Sequence, residues 1–326
     1  MSLSLDLNFS ENQDAIRSAV DRFCEQHDAE RIARHSGEPF PRELWHRLAE
    51  LGVFYPAAPG NAEAGGALEI CAITERLGHH VFPGPIASTF LAIQVLDFDE
   101  VSSVIEGRSL VSVSNAGSTL LPYGTEAQLF LVVDNNSVAR AHTPQKVEPV
   151  STLGGEIWGR ATLSVDQPMA GADRGLLLGN ICAAAYLTGA AWHLIHRASE
   201  HAAIRKQFGK TLGEFQAVSH PLADAAIGIS SAQVLTRAAA SYYDEAETED
   251  SAAMQKTRCQ AAGALVSARR ASLQAAFTCH QVFAGIGITL EGPVFHFSRR
   301  IRQLVSTPPT GVREQELLLA DAGLGA

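Results

Sequence analysis

The chain is poor in the features that mark several large classes of protein. It has 25 Lys and Arg against 35 Asp and Glu, a formal charge of -10, and no basic stripe. That excludes the usual electrostatic footprint of a nucleic-acid binder and disfavours an anionic membrane surface. Cysteine is scarce: Cys24, Cys71, Cys182, Cys259 and Cys279 are odd in number and lack metal-type or redox-type spacing. They read as reduced, buried thiols of a cytoplasmic protein. No basic segment followed by an apolar run occupies the start, so no secretion signal is expected. No Gly-x-Ser-x-Gly element is present to mark a serine nucleophile. Long apolar runs are also missing, with one partial exception. Gly175 to Trp192 contains no charged residue, but it is barely long enough for a span and holds Asn180, Thr188 and several Gly and Ala. A helix buried in a large bundle is the expectation there, with no membrane partner.

What the chain does have is length and apolar content. With 326 residues and 46% hydrophobic composition it can bury a large core in two or three domains. Residues 1–108 read as a helical domain. Ser10 with Gln13 fits a capping box, and Ala15, Ile16, Ala19, Val20 and Phe23 recur at helical spacing behind it. Pro41 suits a first turn, Leu44, Leu48 and Leu51 one face, and Gly52 a stop. A third apolar stretch, Leu68 to Leu77, is expected to end at Gly78, and a fourth runs from Ile86 to Leu96.

The period changes over 109–170, a shortened β domain. Leu110 to Ser114, Leu129 to Val133 and Arg160 to Val165 read as strands, with a turn at Asp134 to Ser137. Residues 171–326 read as a helical bundle. Four helices are expected, at about 173–203, 212–244, 251–284 and 293–304, with the acidic 244–250 segment as an exposed connection. No repeat or low-complexity tail appears. Pattern alone supports an α+β chain, mainly α.

Two segments carry chemistry. In Arg205 to Gln216, Arg205 offers a permanent forked cation suited to a diphosphate, Gln207 and Gln216 offer amides, and Phe208 offers a ring face. An ordinary amphipathic helix start would also suit these residues. In Gln281 to Gly287, small residues permit close backbone approach to a phosphate, although a glycine pair ending a helix would look alike.

Taken together and in this order, the two segments resemble motifs of the acyl-CoA dehydrogenase family. The resemblance covers nearly the whole chain, most clearly residues 171–305. It implies an N-terminal helical domain, a small central β domain, a C-terminal four-helix bundle, and FAD as cofactor. It further implies that Arg205, Gln207, Phe208, Leu212, Gln216, Gln281 and Gly285 reach the FAD of a neighbouring subunit. Where the family usually has glycine, this chain has Ala284.

The same resemblance exposes what is missing. Most members place a catalytic Glu at the position held here by Pro308, and some at the position held by Gly179. Neither residue can take a proton from carbon. Asn180 stands where many members carry Arg, and Val113 to Gly117 replaces a Thr-Glu-Pro-like segment with no Gly-Ser-Asp cluster after it. Glu200, Glu214, Asp224 and Glu291 are nominal candidates for a relocated base, with solvated carboxylates as the default. His193, His196 and His201 lack metal spacing, so no metal is expected.

Presence and absence together resemble the short, base-lacking subunit of heterotetrameric α2β2 acyl-CoA dehydrogenases acting on steroid side chains. The ending Gly311 to Leu318 is similar to theirs. The implied partners are a longer paralogue that supplies the Glu, an acyl-CoA substrate and an electron-transfer flavoprotein. The alternatives are a homo-oligomeric dehydrogenase with a relocated base and a non-catalytic binding paralogue.

Overall fold

The computed structural model describes residues 8–35, 37–60, 65–246, 250–307 and 318. Pro308, the 311–317 stretch and the centre of the acidic connection, 247–249, lie outside them.

Among the described residues six helices come first: α1 (Glu11–Gln26), α2 (Ala29–Arg34), α3 (Arg42–Glu50), α4 (Ala67–His79), α5 (Ile86–Ile93) and α6 (Phe98–Ile105). The capping box at α1 forms: Gln13 N donates to Ser10 Oγ at 3.3 Å, and Ser10 N donates to Gln13 Oε1 at 2.9 Å. Val20, Phe23 and Cys24 are buried behind it. Gly52, at φ 86°, ends α3 as expected, but Leu51 is 42% exposed and leaves the buried face to Leu44 and Leu48. Gly78 does not end α4, which runs on to His79. Its small size serves packing instead: a Cβ there would lie 2.1 Å from the Tyr186 carbonyl oxygen. Helix α6 escaped the sequence reading; Asp97 caps it by accepting from Glu100 N at 3.0 Å.

Seven strands follow: β1 (Val111–Asn115), β2 (Leu120–Leu121), β3 (Leu129–Asp134), β4 (Ser137–Ala141), β5 (Glu148–Ser151), β6 (Ile157–Arg160) and β7 (Val165–Pro168). One sheet has the order β1-β3-β4-β7, with β1 and β3 parallel and the other pairs antiparallel. The second is antiparallel, β2-β6-β5. The expected turn sits between β3 and β4, with Asn135 at φ 53°. The expected strand over 160–165 is two strand ends in different sheets, β6 closing at Arg160 and β7 opening at Val165. Leu121, Phe130, Val132 and Ala141 form a small core linking the sheets.

The rest is the helical bundle: α7 (Ala172–Ile204), a two-strand hairpin β8 (Lys206–Gln207) and β9 (Lys210–Thr211), α8 (Gln216–Glu245), α9 (Ser251–Phe283) and α10 (Phe295–Val305). Helix α8 begins four residues later than expected, because Leu212–Glu214 forms a 3-10 turn. Helix α7 packs on α4 and α5 as well as on α8 and α9, so it runs through the core. It alone among the described residues is long and apolar enough to cross a membrane, yet 83% of its most apolar window is buried in protein. Its small residues make this possible. A Cβ on Gly189 would lie 2.0 Å from the Glu75 carbonyl oxygen.

Polar groups lock the layers. Arg237 of α8 grips the buried Glu75 of α4 with two hydrogen bonds, at 3.0 and 2.8 Å. Asp244 was expected in an exposed connection; it is exposed, but it belongs to the last turn of α8. It accepts from Ala67 N at 2.7 Å and Leu68 N at 3.3 Å, joining the end of α8 to the orphan donors that open α4. Desolvation where the carboxyl meets α4 pushes it up despite those bonds. All five cysteines are buried and outside disulfides.

Candidate functional site

The first motif lies where α7 ends. Arg205 is the C-cap residue, and its N–H donates to the His201 carbonyl. The chain then turns back on itself through β8 and β9, with Phe208 at φ 51° and Gly209 at φ 80° between them. Two successive left-handed residues are what a tight type I′ hairpin requires. Glycine adopts this freely, whereas phenylalanine is strained there by about 1–2 kcal/mol. The strain is not offset by burial, since Phe208 is 93% exposed. The ring is held out from the body of the chain, with only Phe215 at 6.4 Å in edge contact.

Beyond the hairpin, Glu214 accepts from Thr211 N and Thr211 Oγ1, both at 2.9 Å. Those bonds hold its carboxyl below the usual range. It is a capping group, and its lowered basicity is wrong for a general base. Glu200, Asp224 and Glu291 are all exposed, without the enclosed setting a carbon-acid base needs.

The second motif lies where α9 ends. Ala284 takes φ 49° and ψ -128°, a conformation that glycine normally fills. The substitution noted in the sequence therefore changes the residue while the backbone stays glycine-like. Gly285 follows in the open: a Cβ on it would meet no atom within 4 Å. Packing within the chain does not demand a glycine there.

These two chain segments meet. Arg205, Gln207 and Leu212 line one cleft of about 580 Å³ together with Gln281 and Gly285. Phe208 and Gln216 stand outside it, Phe208 at the hairpin tip and Gln216 exposed at the start of α8. The Arg205 side chain makes no hydrogen bond or ion pair among the described residues. Nearby, Ile204, Ile286, Ile288 and Leu290 are 78, 58, 69 and 67% exposed. A free forked cation, two exposed amides, an open glycine and a projecting ring fit the diphosphate and flat rings of a dinucleotide arriving from outside the chain. Sequence reading missed His201 and Phe283, which line the same cleft. The signal for His201 was its position four residues before Arg205 on one helix face.

The second base position is closed. Gly179 is buried on α7 against α5, where a Cβ would lie 3.3 Å from Leu91 Cβ and 3.6 Å from the Ala87 carbonyl oxygen. Gly175 and Gly171 meet the same helix or its end as tightly. A Cβ on Gly179 is already in close contact, so a side chain as long as Glu would have to displace α5. Asn180 Oδ1, beside it, is buried without a partner, as are the Ser112 and Ser114 hydroxyls of β1.

Residues 169–317 match the acyl-CoA dehydrogenase C-terminal domain, and residues 10–98 match the N-terminal domain of the same family. This chain belongs to the acyl-CoA dehydrogenase family. Among its relatives, the acyl-CoA dehydrogenase IpdE2 of Mycolicibacterium smegmatis is 25% identical over 324 residues, covering 94% of this chain and 98% of IpdE2. FadE34 of Mycobacterium tuberculosis is 28% identical over 283 residues, covering 79% of this chain but only 39% of FadE34. The fold matches the ChsE4-ChsE5 complex from Mycobacterium tuberculosis with a TM-score of 0.81 at 20% identity, covering 99% of this chain and 100% of the other. It also matches PigA, solved with FAD and proline, with a TM-score of 0.79 at 16% identity, over 98% of this chain and 100% of PigA. The chain thus has an acyl-CoA dehydrogenase fold of a kind that holds FAD.

Proposed function

We propose that this chain is the base-lacking subunit of a heteromeric, FAD-dependent acyl-CoA dehydrogenase, in an α2β2 assembly with a longer paralogue. One observation carries the reading: an outward-facing cleft brings together Arg205, Gln281 and Gly285, a donor set that suits half of a FAD site, while Gly179 packs closely between α7 and α5. A chain that offers cofactor contacts but no base there suits a partner that has one. The match to a complex of two ChsE chains supports the same arrangement.

In this reading the chain's own residues bind and orient. Arg205 neutralises diphosphate charge, and its fork fixes direction as well as attraction. Gln207 and Gln281 hydrogen-bond polar edges, and Leu212 walls the cleft. Phe208 and Gln216 approach the cofactor from outside the cleft, Phe208 through its ring face. Bound FAD would supply a hydride acceptor for the β carbon of an acyl-CoA, and the α proton would have to go to a Glu of the longer partner, since this chain has none at Pro308 or Gly179. An electron-transfer flavoprotein would be the partner that reoxidises the cofactor. A steroid side-chain CoA ester is the substrate class we favour, supported by the fold match, TM-score 0.80, to the Tcur3481-Tcur3483 steroid acyl-CoA dehydrogenase.

Flavin absorbance per chain and solution mass test the reading, on this protein alone and co-expressed with the longer paralogue. Flavin only in the mixed assembly, near one per heterodimer, is the expected result. One flavin per chain in a homo-oligomer would overturn it.

A further inference from the structure

His201 sits one helical turn before Arg205, and its ring stacks on Phe283 with centroids 4.5 Å apart and planes 27° from parallel. Phe283 is the last residue of α9, directly before Ala284 and Gly285. The stack therefore clamps the imidazole to the wall shared with Arg205, Gln207 and Gln281. Neither ring nitrogen has a hydrogen-bond partner among the described residues. A half-buried imidazole with two unused nitrogens, fixed in orientation beside a free arginine, is a donor already positioned for an anion.

Other charges define its setting. Arg205 acts on it from its own helix, and together with burial lowers the His201 pKa. His201 and Arg205 are the titratable side chains that line the cleft, whose other walls are amides and apolar or small residues. Glu214 is closed on Thr211 and does not compete for the imidazole. Burial and then Arg205 thus disfavour the charged imidazole in the free chain. A bound anion reverses that balance, because it favours the charged ring.

We infer that His201 is an additional cofactor-binding residue, donating to the diphosphate group that Arg205 meets and taking up a proton as that group binds. The inference rests on the half-site reading above. Binding with proton uptake tightens as pH falls, by up to about tenfold per pH unit for one proton.

The test is the FAD dissociation constant of the mixed assembly, read by flavin fluorescence between about pH 6 and about pH 8, which brackets the ordinary histidine pKa. His201→Phe keeps a ring against Phe283 but can neither donate nor titrate. Wild type is expected to bind roughly three- to tenfold tighter at the acid end, and His201→Phe to lose that slope. His201→Gln, which keeps a donor without a titration, should also be flat, and it serves if the Phe variant fails to assemble. An unchanged slope in either variant overturns the role of His201, while Arg205→Ala still weakening retention leaves the half-site standing. Flavin retention indifferent to Arg205→Ala overturns both.

Discussion

Gly179 of α7 faces Leu91 of α5 at a distance that admits a methyl group and little more, 3.3 Å from a built Cβ to Leu91 Cβ. Gly179→Glu therefore will not restore a catalytic base. It forces a carboxylate between two apolar helices, with overpacking and an unpaired buried charge together costing about 2–5 kcal/mol. Chemical denaturation should show that loss, with no dehydrogenase turnover gained by the chain alone. Gly179→Ala should be nearly neutral, since a helix-propensity gain of about 1 kcal/mol offsets the tight contact.

Gly189 gives a sharper result at the other face of α7. Its built Cβ would lie 2.0 Å from the Glu75 backbone oxygen, so α4 and α7 must separate to admit a methyl. Gly189→Ala is expected to destabilise by about 1–3 kcal/mol despite the better helix propensity. A lowered denaturation midpoint with an unchanged denaturant slope is the signature. Equal stability of the two proteins would show that the helices are not in such close contact.

Strain at the hairpin tip separates folding from function. Phe208→Gly relieves a left-handed phenylalanine and should leave the isolated chain as stable or more stable by about 1 kcal/mol. The same change should weaken flavin retention in the mixed assembly, because the projecting ring is gone. Arg205→Ala should act alike: the residue is exposed and unpaired, so stability shifts by less than about 0.5 kcal/mol while flavin is lost. A thermal melt and a flavin titration on each variant decide the matter.

Acid should unfold the chain through its buried histidines. His79 packs on His193 with ring centroids 4.5 Å apart, and His193 stacks on Phe297 at the same separation. Burial pushes His79 down to about 2 and His193 to about 3, and it lowers His296 as well. Burial alone would raise the nearby Glu30, but hydrogen bonds from His296 and Arg34 hold it well below the carboxylate range. The folded histidines stay neutral while the unfolded chain takes up protons below about pH 6.5. Stability is therefore full above that pH and falls as pH drops, by about 1.4 kcal/mol per pH unit for each histidine. Below about pH 4, loss of the Glu30 interactions adds to it. His193→Phe should flatten the stability profile between about pH 6 and about pH 4. An unaltered profile would show that His193 does not contribute.

Much of the fold was legible because local chemistry agreed with it. Ser10 and Gln13 close a cap within four residues, and the Asp134 to Ser137 turn joins two strands by its own dihedrals. Errors fell where a residue's role is set by something distant. Gly78 resembles a helix stop until the Tyr186 carbonyl is seen against it, and Asp244 resembles a solvated acid until it is found capping α4. His201 looked like one of a helical cluster of surface or core histidines because its partner, Phe283, lies on another helix.

By itself the sequence determined the chemical types and their order: a forked cation and amides after one helix, small residues after another, and no Glu at Pro308 or Gly179. It also determined the helical and strand periods, since these depend on neighbours a few residues apart. Only the tertiary structure decided that Arg205 and Gln281 share a cleft, that Phe208 stands clear of its own chain, and that α5 seals against α7. Those outcomes follow from packing between segments far apart in the chain, where the shape of one helix face selects the distance to the next.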